Sequence, residues 1–274
     1  DGLTYRLGAL AATRATIGVT ATPLESGPRD RTDHANTIDV VLANGALTSV
    51  DDLRLLGGAN LIAVENADDQ WELIQFRDAL LIAPSTYRLS VLLRGQAGTA
   101  DAMRDPVAAG ARVVLVDGAV TPALLTPNEA RLTLGWRYGP KTLAHTDAAY
   151  VSEAHTYRAL GLRPLSPAHV RGHRSAGDLT ISWIRRTRIG GAWRDLVDAS
   201  LGEASELYDV EIYSSGAYTT LKRTLSALTG QTAAYTSAQQ VTDFGSNQAT
   251  LYVKIYQLSA TVGRGNPLIT SITR

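Results

Sequence analysis

Asp178-Leu179-Thr180-Ile181-Ser182-Trp183 alternates apolar and polar residues with a period of two. Side chains on an extended strand point alternately to its two sides, so Leu179, Ile181 and Trp183 share one face and Thr180 and Ser182 the other. The same period recurs in Tyr208, Val210 and Ile212, in Leu251, Val253 and Ile255, and across residues 168–174. No convincing helical period lies between these segments. Half-buried strands with one apolar face each, in a stretch of about 100 residues, predict two packed antiparallel sheets of immunoglobulin-like size, with Trp183 filling the core from an early strand. Just upstream, Gly161-Leu162-Arg163-Pro164-Leu165-Ser166-Pro167 brings together a glycine and two prolines. Proline interrupts helices and ladders, so a domain boundary is placed there, dividing the chain into residues 1–160 and 161–274.

The first of these domains is also strand-rich. Residues 37–42 form a compact apolar run followed at once by Asn44-Gly45, a dipeptide that tolerates positive φ and predicts a tight hairpin. Residues 61–65 and 71–77 form a second expected pair around Asn66-Ala67-Asp68-Asp69, and residues 86–93 and 112–116 are further strands. Two short helices are expected, over 99–109 and over 49–56, the latter with Ser49 as N-cap. The predicted class is mainly β: a barrel-like N-terminal domain with one or two short helices, then a β-sandwich.

Composition removes several classes of function. The 26 basic and 26 acidic residues of the 274 cancel, whereas a nucleic-acid binder normally carries a basic excess, so no sequence-specific nucleic-acid partner is expected. No apolar run approaches the roughly 20 residues needed to cross a bilayer as a helix. Cysteine is absent, which excludes disulfides, thiolate metal sites and cysteine nucleophiles. The chain opens on Asp1 with no charged-then-apolar leader, and is read as a segment of something longer.

Motifs that carry chemistry are few. His169 and His173 have the H-x3-H spacing of metal ligands on a helix, but on a strand they merely share a polar face with Arg171, and no third ligand is evident. Gly135 to Thr142 resembles a phosphate loop only superficially: three residues, not four, separate its glycines, and Pro140 has no N–H to donate. The serine elbow, H-E-x-x-H and the dinucleotide fingerprint are missing. Acidic pairs such as Asp51/Asp52, Asp68/Asp69 and Glu203/Glu206 lack any sequence sign of the cleft that a two-carboxylate mechanism needs. No catalytic residue, metal site or cofactor is therefore assigned.

Arg185, Arg186 and Arg188 follow Trp183 closely, with Trp193 downstream. Arginine over indole binds anions or sugars, and it also covers a large aromatic at the edge of a core. The second domain further holds Tyr208, Tyr213, Tyr218, Tyr235, Tyr252 and Tyr256, more tyrosine than a core needs. Arg185, Arg186, Arg188, Trp193 and Tyr213 are the candidate surface-binding residues.

A set of phrases carries a family resemblance: residues 162–170, LRPLSPAHV; 177–188, GDLTISWIRRTR; 201–208, LGEASELY; Asp243-Phe244-Gly245; and 256–265, YQLSATVGRG. In the first domain, Leu93-Arg94-Gly95-Gln96-Ala97-Gly98-Thr99 and Ala109-Gly110-Ala111 add to it. Together they resemble the C-terminal region of the large tail-tip protein of gene transfer agents and long-tailed phages, the megatron or TIM-barrel-like tail protein. The resemblance covers residue 87 onwards well and residues 1–84 weakly. It implies a baseplate or tail-tip subunit of a virion assembled in the bacterial cytoplasm, usually a homotrimer about the tail axis, with fibronectin-III-like modules distally. The family's glycosidase-like barrel lies elsewhere in that protein, so no activity carries over.

The leading expectation is thus a non-enzymatic structural and attachment component that contacts copies of itself, neighbouring tail proteins and a recipient-cell glycan or receptor. The alternatives are a carbohydrate-binding module ancillary to a cell-wall or polysaccharide-degrading enzyme, and a hydrolase using acidic residues of the first domain.

Overall fold

The computed structural model describes residues 4–29, 31–191 and 195–273. It is mainly β and divides into two compact units, Asp1–Gly161 and Leu162–Arg274.

In the first unit the strands are β1 (Ile17–Thr20), β2 (Ile38–Leu42), β3 (Leu61–Glu65), β4 (Trp71–Ala83), β5 (Thr86–Leu93) and β6 (Arg112–Leu115), with helix α1 (Asp52–Leu56) between β2 and β3. They close into an antiparallel barrel in the order β1-β2-β5-β4-β3-β6. Six strands enclose a lumen narrow enough for side chains to fill, and alternate residues do so: Ile38 and Val40, Ile62 and Val64, Ile74 and Phe76, Leu89, and Val113. Leu24, Leu47 and Val107 pack against them from outside the strands. Each such side chain contributes about 1.5–3 kcal/mol through removal from water.

The expected strands 61–65, 71–77, 86–93 and 112–116 are present, and β3 and β4 form the expected hairpin. Three local expectations are corrected. Asn44-Gly45 does not close a hairpin, because β2 pairs with β1 and β5 instead. There Asn44 donates to the Ala15 carbonyl at 2.7 Å, and a Cβ on Gly45 would lie 2.3 Å from the Thr16 hydroxyl, so the turn packs on the strand's approach. The helix over 99–109 shrinks to a 3-10 turn at Ala100–Ala102, since Val107 is drawn into a bridge with Leu24. The N-cap of α1 is Asp51, whose carboxylate accepts from the Arg54 N–H at 2.8 Å; the Ser49 hydroxyl accepts from the Ala79 N–H. Beyond the barrel, β7 (Thr133–Tyr138) and β8 (Val151–Thr156) form a two-stranded sheet.

The second unit contains β9 (Ala168–Ser175), β10 (Asp178–Ile184), β11 (Leu207–Tyr213), β12 (Leu221–Thr229), β13 (Thr232–Tyr235), helix α2 (Ser237–Phe244), β14 (Thr250–Ser259), β15 (Gly263–Arg264) and β16 (Leu268–Thr273). One sheet runs β13-β10-β9; the other runs β12-β11-β14, with β14 continuing to β15 and β16. Their inner faces share a core of Leu179, Ile181 and Trp183, Tyr208, Val210 and Ile212, Tyr235, and Leu251, Val253 and Ile255. The Trp183 and Tyr208 rings meet edge to face with centroids 5.1 Å apart, a favoured aromatic geometry. Helix α2 corrects the expectation of a helix-free second half. Its start is a capping box in which Thr236 and Gln239 satisfy one another's backbone N–H groups, and it ends at Gly245 with φ +81°.

Candidate functional site

β11 belongs to the second sheet, yet both of its faces are covered. Tyr208, Val210 and Ile212 point into the core, while Asp209, Glu211 and Tyr213 point outward and are also buried. Register supplies their cover. Across the ladder Asp209 faces Tyr256, Glu211 faces Lys254 and Tyr213 faces Tyr252, so these β14 side chains stand on the same outer face. Arg264 reaches in from β15, donating through Nε to Asp209 at 2.9 Å and through Nη1 to Glu211 at 2.6 Å. Glu211 also accepts from the hydroxyls of Tyr213 at 2.6 Å and Tyr256 at 3.2 Å. Burial alone would raise the Glu211 carboxyl, but these donors outweigh it and hold the group below the ordinary glutamate range.

The other cation of this face is placed differently. The Lys254 ammonium sits 4.8 Å from the Tyr213 ring centroid and 5.6 Å from that of Tyr218, held by ring faces. Tyr218, from the β11–β12 connection, meets Tyr213 and Tyr252 edge to face at 5.6 and 6.1 Å. Three aromatic rings and one ammonium thus form a contiguous patch at the end of the sheet.

The structure sorts the sequence candidates. Tyr208 and Tyr235 are core residues, and Tyr213, Tyr218, Tyr252 and Tyr256 belong to the outer face. Tyr213 is only 8% exposed, so it supports the patch from beneath and is not itself an open surface residue. Arg185 donates to Asp198 at 2.5 Å and to the carbonyls of Ala199 and Ser200; Arg186 grips Ser166 through its backbone oxygen and hydroxyl, both at 2.7 Å; Arg188 lies 3.5 Å from Glu203. The arginines therefore hold chain segments that flank the sandwich, and they do not converge with Tyr213. Trp193 lies outside the described residues. Sequence inspection missed Lys254 and Arg264; the period-two placement of Tyr252, Lys254 and Tyr256 was the available signal.

Other motifs have structural partners. His169, Arg171 and His173 lie exposed on β9, and among the described residues no group of three or more His, Asp or Glu is placed to hold a metal ion. Asp51 caps α1, Asp52 pairs with Arg77, Asp68 pairs with Arg104 and Glu206 accepts from Tyr208. No helix is long and apolar enough to cross a membrane among the described residues. In the first unit, β4 outruns the barrel and exposes Leu80 (64%), Leu81 (58%) and Ile82 beside the turn to β5.

The fold thus defines a protein with a closed six-stranded antiparallel barrel and a two-sheet unit bearing an aromatic, cationic outer face. Residues 15–114 match the family model described as Rcc01698-like, C-terminal. That segment coincides with the closed barrel, from just before β1 to the penultimate residue of β6. It lies in the first unit, whereas most of the tail-protein phrases lie in the second. A search of curated proteins finds no match to the chain.

Proposed function

We infer that the chain is a non-enzymatic structural component of a phage-like tail tip, of the gene-transfer-agent kind, which assembles through its own copies and neighbouring tail proteins and presents a surface to the recipient cell. The observation that carries this reading is the coincidence of the family match at 15–114 with one closed barrel. The family's description is compatible with a gene-transfer-agent association. The apolar Leu80, Leu81 and Ile82 at the end of β4 are the kind of surface that protein contacts cover, and the three-stranded sheet packed on the β12-β11-β14-β16 sheet supports a fibronectin-III-like module. A homotrimer in the virion would repeat each weak contact three times and gain avidity without a single strong site.

Quantitative mass spectrometry of tailed particles purified on a density gradient tests this. The reading expects the chain to co-sediment with intact particles at about three copies each, as the proposed trimer requires. Finding it only in the soluble fraction, bound to a polysaccharide-degrading enzyme, would favour the second reading of an ancillary carbohydrate-binding module. The tyrosine-rich outer face of the second unit is the observation on that side.

A further inference from the structure

The far end of β4 leaves an open backbone edge in the barrel of the first unit. β3 covers β4 only as far as Gln75, opposite Leu61. The chain before α1 takes over there: the Val50 N–H donates to the Arg77 carbonyl at 2.8 Å. The Ser49 hydroxyl accepts from the Ala79 N–H at 2.9 Å and donates to the Ala79 carbonyl at 3.5 Å, so both backbone groups of Ala79 turn away from β5. Pairing with β5 runs unbroken from Ala79 opposite Leu89 to Leu81 opposite Tyr87. Alternation therefore turns the Leu81 N–H and C=O to the same outer side, where no strand pairs with them among the described residues. The side chains are equally bare: Leu80 and Ile82 project from one face of β4 and Leu81 from the other, and all three are exposed. Sequence sets this edge apart. Residues 79–83, Ala-Leu-Leu-Ile-Ala, hold no proline and no charged or hydroxyl-bearing side chain, whereas charge and proline are the usual protection of an edge. The other edge strands do hold such side chains: Arg137 in β7, Glu153 in β8, Arg171 in β9, Lys222 in β12, Thr232 in β13 and Thr270 in β16.

We propose that two copies of this chain pair through this edge, β4 against β4, antiparallel about Leu81. Ser49 bounds the edge at Ala79 and the Pro84-Ser85 turn bounds it at the other end, which leaves Leu81 at its centre. In that register the two Leu81 residues exchange N–H···O=C bonds, and Leu80 of each copy faces Ile82 of the other. Every facing pair is apolar, so the edge is its own complement. The nearest charges, Arg77 and Asp78, lie beyond this short ladder and pair with one another at 3.0 Å, so no like charges meet across it. Three residues from each strand make a small contact, and a dissociation constant on the order of 100 μM follows from its size. The contact is isologous and cannot close a threefold ring, so it is separate from the contacts of the proposed trimer. It rests on the functional reading only in taking the end of β4 as a protein-contact surface.

The chain has no cysteine, so a single introduced one reports its own position. Leu81→Cys is expected to give a disulfide-linked pair of chains under mild oxidation, because opposite residues of such a ladder lie about 5.5 Å apart between Cα atoms, within disulfide reach. Val19→Cys, on the exposed outside of β1, should cross-link at least about tenfold more slowly. Sedimentation equilibrium of the 274-residue chain up to about 0.5 mM should show a reversible doubling of mass. Leu81→Pro, which removes the outward N–H and spares the ladder to β5, should abolish that doubling. Leu81→Lys places a charge on the edge, should abolish it too, and stands in if the proline variant fails to fold. No mass doubling by the folded wild-type chain, unchanged doubling in the folded Leu81→Lys variant, or equal cross-linking at positions 19 and 81 would overturn the proposal. A chain that does not double alone, but whose Leu81 amide is protected from hydrogen exchange inside purified particles, would give the edge to a different tail protein and overturn it as well. Whether the chain co-sediments with particles does not depend on this edge, so the two readings fail separately.

Discussion

Arg94 occupies the end of the barrel with its side chain fully buried, an arrangement that only complete pairing makes tolerable. Its guanidinium donates to both oxygens of Glu72, at 2.8 and 2.9 Å, and to the Glu25 carbonyl at 2.9 Å, while Asp33 lies 3.7 Å away. Glu72 alternates with Ile74 and Phe76 on β4 and so points into the lumen, where it would otherwise be an isolated buried charge. Removing one partner strands the other, so Glu72→Ala is expected to destabilise the first unit by about 3–5 kcal/mol, measured by denaturant unfolding. A loss below about 1 kcal/mol would mean that the pair is not desolvated as described. In the second unit, the Arg223 guanidinium beside Asp243, helped by the Tyr235 hydroxyl, holds that carboxyl below its ordinary value of 3.8 against the opposing effect of burial. A depressed carboxyl stabilises fully above its ordinary value and loses that contribution as pH falls through its lower folded value. Stability should therefore decline below about pH 4, and Asp243→Asn should flatten that decline while lowering stability at neutral pH. An Asn variant whose acid profile parallels wild type would contradict the assignment.

The elements were unevenly legible, and the reasons are physical. Strands such as β10, β11 and β14 announce themselves because a period of two is a local property of the sequence. Helix α2 is eight residues long, and its signal lay in the Thr236/Gln239 box and Gly245, not in a long apolar stripe. The turn after β2 misled because Asn-Gly specifies a backbone conformation, whereas strand partners are chosen by barrel closure. The phrase Arg94 to Thr99, which carried part of the family resemblance, acts in packing: Gly95, Ala97 and Gly98 adopt positive φ, and Thr99 bridges by accepting from Leu73 N–H and donating to Gln96 carbonyl. A Cβ on Gly98, at φ +79°, would lie 2.1 Å from the Leu160 carbonyl oxygen, whereas one on Gly110, at φ +88°, meets nothing within 4 Å. Both Gly→Ala changes carry the left-handed backbone cost of about 1 kcal/mol. Only Gly98→Ala adds a backbone clash, so its unfolding midpoint should drop well below that of Gly110→Ala. Equal shifts would mean that the close approach relaxes freely. Replacing the Thr236 cap by alanine should cost about 1 kcal/mol, read from the second unit's unfolding transition.

At the scale of the whole molecule, each unit encloses its own apolar core, so residues 162–274 expressed alone should unfold in one cooperative transition with the near-ultraviolet signal of a packed Trp183. A non-cooperative loss of signal would contradict a self-sufficient core. Sequence periodicity was enough for the mainly β class and for the sandwich core. The site was less legible, because it depends on cross-strand register: Glu211 and Lys254 are 43 positions apart yet face one another. The arginine cluster drew attention by density in sequence, but Arg185, Arg186 and Arg188 are spent on local chain contacts. The proposed place of this chain is the tip of a phage-like tail. Electron microscopy of tailed particles labelled with gold-conjugated antibody against the chain tests it most directly. Gold is expected at the end of the tail distal to the head; gold on the head, along the tail shaft or absent from intact particles would rule that placement out.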